Sequence, residues 1–140
     1  MDRKLMSEFV AMLNGGSVVW GLKKQASTSL SSTEAEFITS MSATQKLIWL
    51  RGLLSSINHL SCTATLLLID NQETISLIKN GLSSKHSKHI ELCYYFISKK
   101  FANRTIAAKY ISTDEQLADG LTKALTSIKF KKFVKELSFA

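Results

Sequence analysis

Three carboxylates stand where their neighbours make an acid expensive. Glu36 begins an otherwise apolar stripe at helical spacing, followed by Ser40, Ala43, Leu47, Leu50, Leu54 and Ile57. Asp70 ends the apolar run 64–69, at the strand end where ligands gather in α/β sheets. Asp119 lies in Gln116-Leu117-Ala118-Asp119-Gly120-Leu121 between apolar residues. Half-buried acids are costly unless paired or bound to a metal. Grouped carboxylates are a hard oxygen set that suits Mg²⁺, and two such ions can clamp the attacking water and leaving oxygen of a phosphodiester. Each acid also has a plainer role. Asp70 with Asn71 could cap the next helix, and Asp119 could answer a helix dipole. Glu34 is better explained as a capping-box residue than as a ligand. Spacing alone does not identify a nuclease.

The elements that must position these acids can be read in order. Residues 9–13 form a short apolar strand, Asn14-Gly15-Gly16 a tight hairpin turn, and 17–20 the return strand. Ser31-Ser32-Thr33-Glu34 is a capping box that opens a helix running to about Ile57, with Ile38, Met41 and Ile48 covering its second side. The near-continuous apolar run 64–69 reads as a central strand covered on both faces. A helix with Ile75 and Ile78 follows and stops at Asn80-Gly81; then come a basic, serine-rich loop at 82–88 and a helix over 89–101. Residues 105–111 form the last strand. Ser112-Thr113-Asp114-Glu115 resembles a second capping signature, opening a helix over about 116–125, and a basic amphipathic helix spans about 127–137. The order is strand, strand, helix, strand, helix, helix, strand, helix, helix, an α/β layered architecture in one domain of 140 residues.

The net charge is +7, and its distribution matters more than its size. Segment 79–109 holds seven basic residues against the single acid Glu91, while the remainder is nearly balanced. Such a patch suits a polyanion, most simply nucleic acid, or else serves as a solubilising helix face. No segment approaches the length of a membrane span and no apolar leader opens the chain, which reads as intracellular rather than secreted. Cys62 and Cys93 cannot build a disulfide framework and read as reduced core thiols. His86, His89 and Cys93 could suggest zinc, but they lack the paired spacing of structural zinc sites.

Four blocks together resemble a known family. Trp20-Gly21-Leu22-Lys23-Lys24-Gln25 followed by Leu30-Ser31-Ser32-Thr33-Glu34-Ala35-Glu36-Phe37 resembles the W-x-x-K-K-Q…L-S-S-T-E-A-E signature of ribonuclease H domains in copia-type LTR retrotransposon Pol polyproteins. Asp70-Asn71-Gln72, Lys88-His89-Ile90-Glu91 and Gln116-Leu117-Ala118-Asp119-Gly120-Leu121-Thr122-Lys123 resemble its later blocks, in order, over about residues 2–125. The resemblance implies a ribonuclease H-like three-layer α/β fold, a mixed sheet with helices on both faces. It implies that Glu36, Asp70 and Asp119 are catalytic carboxylates that bind two Mg²⁺ ions and cleave the RNA strand of an RNA–DNA hybrid. Lys85, Lys88, His89, Lys99, Lys100 and Arg104 would then contact the nucleic acid backbone, with reverse transcriptase and other Pol segments as partners.

One departure bears on function. The family's first carboxylate lies on a D-x-D-W strand, central in its sheet, upstream of a D-R-K-S-T-S-G segment. This sequence opens at Met1-Asp2-Arg3-Lys4, within that segment, and Asp2 matches its leading Asp, which is not catalytic. The S-T-S-G is altered to Leu5-Met6-Ser7-Glu8, and Ala124 replaces the proline usual after T-K. The expectation is a metal site short of one ligand and a sheet lacking its central strand, with two edges exposed. The strand then comes from a longer polyprotein, or the sheet rearranges, or the chain is a catalytically inactive, nucleic-acid-binding remnant.

Overall fold

The structure is a computed structural model, and it describes residues 6–25, 31–59, 63–82 and 88–137. It begins with a hairpin of β1 (Met6–Leu13) and β2 (Gly16–Lys24). Asn14 and Gly15 both have positive φ, 50° and 81°, which a two-residue hairpin turn requires and which asparagine and glycine tolerate. Helix α1 (Ser32–Ser56) starts where the Ser31 hydroxyl accepts the Glu34 amide at 3.2 Å. Then follow β3 (Thr65–Ile69), α2 (Gln72–Asn80), α3 (Lys88–Ala102) and β4 (Ile106–Tyr110). Two 3₁₀ turns, Thr113–Glu115 and Leu117–Leu121, precede α4 (Ser127–Glu136).

The architecture is mixed α/β, but the strands form two sheets rather than one. β1 pairs antiparallel with β2, and β3 pairs parallel with β4. The core lies where α1, α2 and α3 cover one face of the β3–β4 pair. Phe37, Leu67, Ile69, Ile78, Cys93, Ile97 and Ile106 meet there. Strand 64–69 is therefore not covered on both faces. Leu67 and Ile69 are buried while Leu66 and Leu68 are 51% and 41% exposed, the alternation of a half-covered strand.

Helix α1 also departs from the expected stripe. Its buried residues are Phe37, Ser40, Ala43 and Thr44, all in its N-terminal half, while Leu53 and Ile57 are exposed. The helix outruns the sheet it packs on. Its far end is tied by Arg51, whose guanidinium donates to the Thr63 carbonyl at 2.9 Å and the Thr65 hydroxyl at 2.8 Å.

The expected helix over 116–125 is a 3₁₀ turn instead. Ser112 makes no side-chain capping bond, and Gly120 sits mid-turn with the Phe133 ring packed directly on its Cα. A side chain there would collide with the ring, so this glycine seats α4 against the turn. The Ser17 hydroxyl donates to the Leu137 carbonyl at 3.1 Å, joining the first hairpin to the last helix.

Candidate active site

Glu36 occupies the second turn of α1, and its position follows from two links at that helix's start. Thr33 Oγ1 donates to Glu73 Oε2 at 2.6 Å, and the fully buried Thr74 donates to the Thr33 carbonyl at 3.5 Å. These bonds hold the N-terminus of α1 against the N-terminus of α2. Asp70 lies one residue past β3 and two before α2. The cap of α2 is Asn71, whose Oδ1 accepts the Thr74 amide at 2.9 Å. Capping therefore does not occupy the Asp70 carboxylate.

A second anchor fixes β1 to α1. The buried Gln25 amide donates to Ser7 Oγ at 3.0 Å and to the Ala35 carbonyl at 3.2 Å, while the Thr39 hydroxyl donates to Ser7 Oγ at 3.1 Å. Gln25, the last residue of the W-x-x-K-K-Q block, thus clamps the hairpin beside the helix that carries Glu36. It also places Glu8 at the site. The Thr122 hydroxyl donates to Glu8 Oε2, and Glu8 is hydrogen-bonded to Asp119. Lys123 Nζ pairs with Asp119 Oδ2 at 2.6 Å across one turn.

The four acids form one electrostatic group. Burial first, and then the carboxylates of Asp70, Asp119 and Glu8, push the Glu36 carboxyl up to about 7, with Lys123 partly offsetting them. Burial also pushes Glu8 up, the Thr122 hydroxyl pulls it back, and Asp119 raises it again. The Lys123 ammonium is held above the ordinary lysine value mainly by its bond to Asp119.

The structure thus brings Glu36, Asp70 and Asp119 into one neighbourhood and adds Glu8 and Lys123, which sequence patterns do not single out. Glu8 is legible in part, as an acid beside an apolar strand. A strand that starts at Phe9 leaves it outside, whereas β1 starts at Met6 and includes it.

These acids fit a divalent cation in donor type and charge, because crowding that raises Glu36 is relieved by a cation and every donor is a hard oxygen. Their spacing is wider. Among the described residues no three His, Cys, Asp or Glu lie close enough together to hold one ion.

The basic residues sit elsewhere. Lys88 and His89 are exposed at the start of α3, Lys99 is exposed in its last turn, and Arg104 lies in the following turn with φ of 59°. Lys100 is partly covered, its Nζ 6.0 Å from the Phe96 ring centre. Lys85, His86 and Cys62 lie outside the described residues. Cys93 is free and fully buried. No helix among the described residues is long and apolar enough to cross a membrane.

Comparison with known proteins covers nearly the whole chain. It is 32% identical over 130 residues, 93% of its length, to the retrovirus-related Pol polyprotein from transposon TNT 1-94 of Nicotiana tabacum. It is 30% identical over 92% of its length to the corresponding polyprotein from transposon RE2 of Arabidopsis thaliana. A segment of 49 residues is 46% identical to secreted RxLR effector protein 161 of Plasmopara viticola, 35% of this chain and 34% of that protein. The chain spans about a tenth of the length of the two polyproteins. No family model and no solved structure matches it. Over almost its full length, the chain is homologous to one segment of the retrovirus-related Pol polyproteins of copia-type plant transposons.

Proposed function

We propose that this chain is the ribonuclease H segment of such a polyprotein, built to hydrolyse the RNA strand of RNA–DNA hybrids. The observation that carries the reading is the convergence of Glu36, Asp70 and Asp119 from a helix start, a strand end and a 3₁₀ turn, each at a block resembling the family. A Mg²⁺ pair bound by these acids would supply the Lewis acidity and the acidified water that phosphodiester hydrolysis needs. The chain's own part is positioning and charge. Asp70, from the end of β3, and Asp119, from a 3₁₀ turn, both act electrostatically on Glu36. Without a metal the Glu36 carboxyl is held near 7 by burial and by its acidic neighbours, and a bound cation would favour its ionised form. The basic residues of α3 and its flanks, Lys85, Lys88, His89, Lys99, Lys100 and Arg104, would hold the hybrid by its phosphates, with other Pol segments as neighbours.

A second reading is binding without cleavage. It is favoured by the spacing of the acids and by the Lys123–Asp119 pair, which gives one of the three carboxylates an internal cation as its partner. An RNA–DNA hybrid labelled on the RNA strand separates the two. Mg²⁺-dependent cutting of that strand, lost in Asp70→Asn, supports the nuclease. A hybrid bound tightly and left intact in both Mg²⁺ and Mn²⁺ selects the binding reading.

A further inference from the structure

Asp119 is carried by a 3₁₀ turn of five residues, a short element with few hydrogen bonds of its own. Inside the turn, the Asp119 carbonyl accepts the Thr122 and Lys123 amides at 3.3 and 3.0 Å, and Lys123 Nζ reaches Asp119 Oδ2 at 2.6 Å. These bonds are local. They shape the turn without fixing where it stands relative to Glu36 and Asp70. Side-chain bonds on either side of Asp119 do that. Gln116 Nε2 donates to the Leu68 carbonyl at 3.3 Å and ties the turn's entrance to β3. The Thr122 hydroxyl donates to Glu8 Oε2 and ties its exit to β1.

Glu8 reaches the turn because of strand register. Its neighbour Ser7 is buried and accepts hydrogen bonds from Gln25 and from Thr39 of α1. Side chains of a strand alternate between faces, so a Ser7 held to α1 sends Glu8 to the opposite face, where the turn lies. Position 8 is also where the chain departs from the pattern it resembles. The S-T-S-G segment has glycine there, and this sequence has glutamate. Glycine has no side chain with which to hold Thr122. The tie to β1 therefore belongs to this chain's own sequence.

We propose that Glu8 and Thr122 form a latch that sets the place of the Asp119 carboxylate beside Glu36 and Asp70, which makes both of them positioning residues. A carboxylate accepting a hydroxyl makes a charge-assisted bond, shorter and stronger than a neutral one. With the latch closed the turn is held at both ends. Without it the turn is held at its entrance by Gln116, and its exit is free to open. The consequence for metal binding rests on the cation-binding reading of these acids given above. Residues that orient the carboxylate ligands of a metal typically change its affinity by about 10- to 100-fold when they are removed.

Thr122→Val removes the hydroxyl with no change of charge, and Thr122→Ser keeps it. Mn²⁺ alone is titrated calorimetrically into the full chain. Thr122→Val should weaken Mn²⁺ binding about tenfold or more, and Thr122→Ser should stay within about threefold of the parent. In a Glu8→Ala background the hydroxyl has lost its acceptor, so Thr122→Val should add nothing further; that comparison cancels the charge lost with Glu8. Backbone amide exchange gives a second reading without metal. Thr122→Val should quicken exchange at Lys123 by about fivefold or more, with Thr122→Ser close to the parent and Ile97 in the core unchanged in both. Unchanged exchange at Lys123 overturns the latch, as does a Thr122→Val effect that persists in full without Glu8. A parent chain that binds no Mn²⁺ overturns the cation reading instead, and the latch is then decided by the exchange at Lys123.

Discussion

Glu36 carries its proton to about pH 7 in the folded chain, against 4.5 for an ordinary glutamate. The unfolded chain releases that proton first as pH rises, so between about 4.5 and 7 the folded state binds more protons. Stability contributed by this group is full below about 4.5, falls as pH rises to about 7, and is flat beyond. The loss is roughly 3 kcal/mol, at about 1.4 kcal/mol for each tenfold change in proton affinity. Glu36→Gln should remove most of that slope, seen as similar urea midpoints at about pH 5 and pH 8, where the parent chain differs clearly. Lys123 opposes the crowding, so Lys123→Met should move the Glu36 titration above about 7, readable by carboxyl NMR. Three of the four acids are legible in the sequence because each interrupts an apolar pattern at an element's end. Glu8 is legible only in part, because its role depends on Thr122 and Asp119, more than a hundred residues away.

Elements are most legible where local chemistry decides them. The hairpin turn at Asn14-Gly15, the Ser31 cap of α1 and the stop of α2 at Gly81, with φ of 97°, all depend on side chains within a few residues. Asn71 is the clearest separable case. Asn71→Ala should cost about 1 kcal/mol of stability by loss of the Thr74 cap, measured by denaturant unfolding, while the neighbouring Asp70→Asn should cost α2 little. Residues 116–125 are the opposite case, because their apolar spacing suits a helix that does not form. That segment carries the Phe133 ring packed on Gly120, a partner thirteen residues on that no local pattern announces. Gly120→Ala should force that ring away and destabilise the chain by about 1–3 kcal/mol, with a lowered melting temperature and α4 loosened from the turn.

At the scale of the molecule, the α/β class follows from the order of elements, but the division into two sheets is a matter of pairing. Pairing depends on which edges find partners across the whole chain. The same scale governs charge. Lys88 and Lys99 project from exposed positions on α3, so any hybrid they bind is held through phosphates. Changing both to glutamate should weaken binding and flatten the dependence of log affinity on log salt, by about one unit for each phosphate no longer neutralised. A titration across several salt concentrations checks it, and an unchanged slope would place the binding surface elsewhere.

The bond between Glu8 and Thr122 spans 114 residues and that between Ser17 and Leu137 spans 120. Closing loops of that length costs on the order of 4 kcal/mol before any contact repays it. In this sequence each of the two hairpin residues precedes its partner by more than a hundred positions. The elements that carry Glu36 and Asp70 are neighbours in sequence, whereas Glu8 meets Asp119 only once the turn at 117–121 has been made. Any grouping of all four acids therefore waits on the turn at 117–121 rather than on local folding.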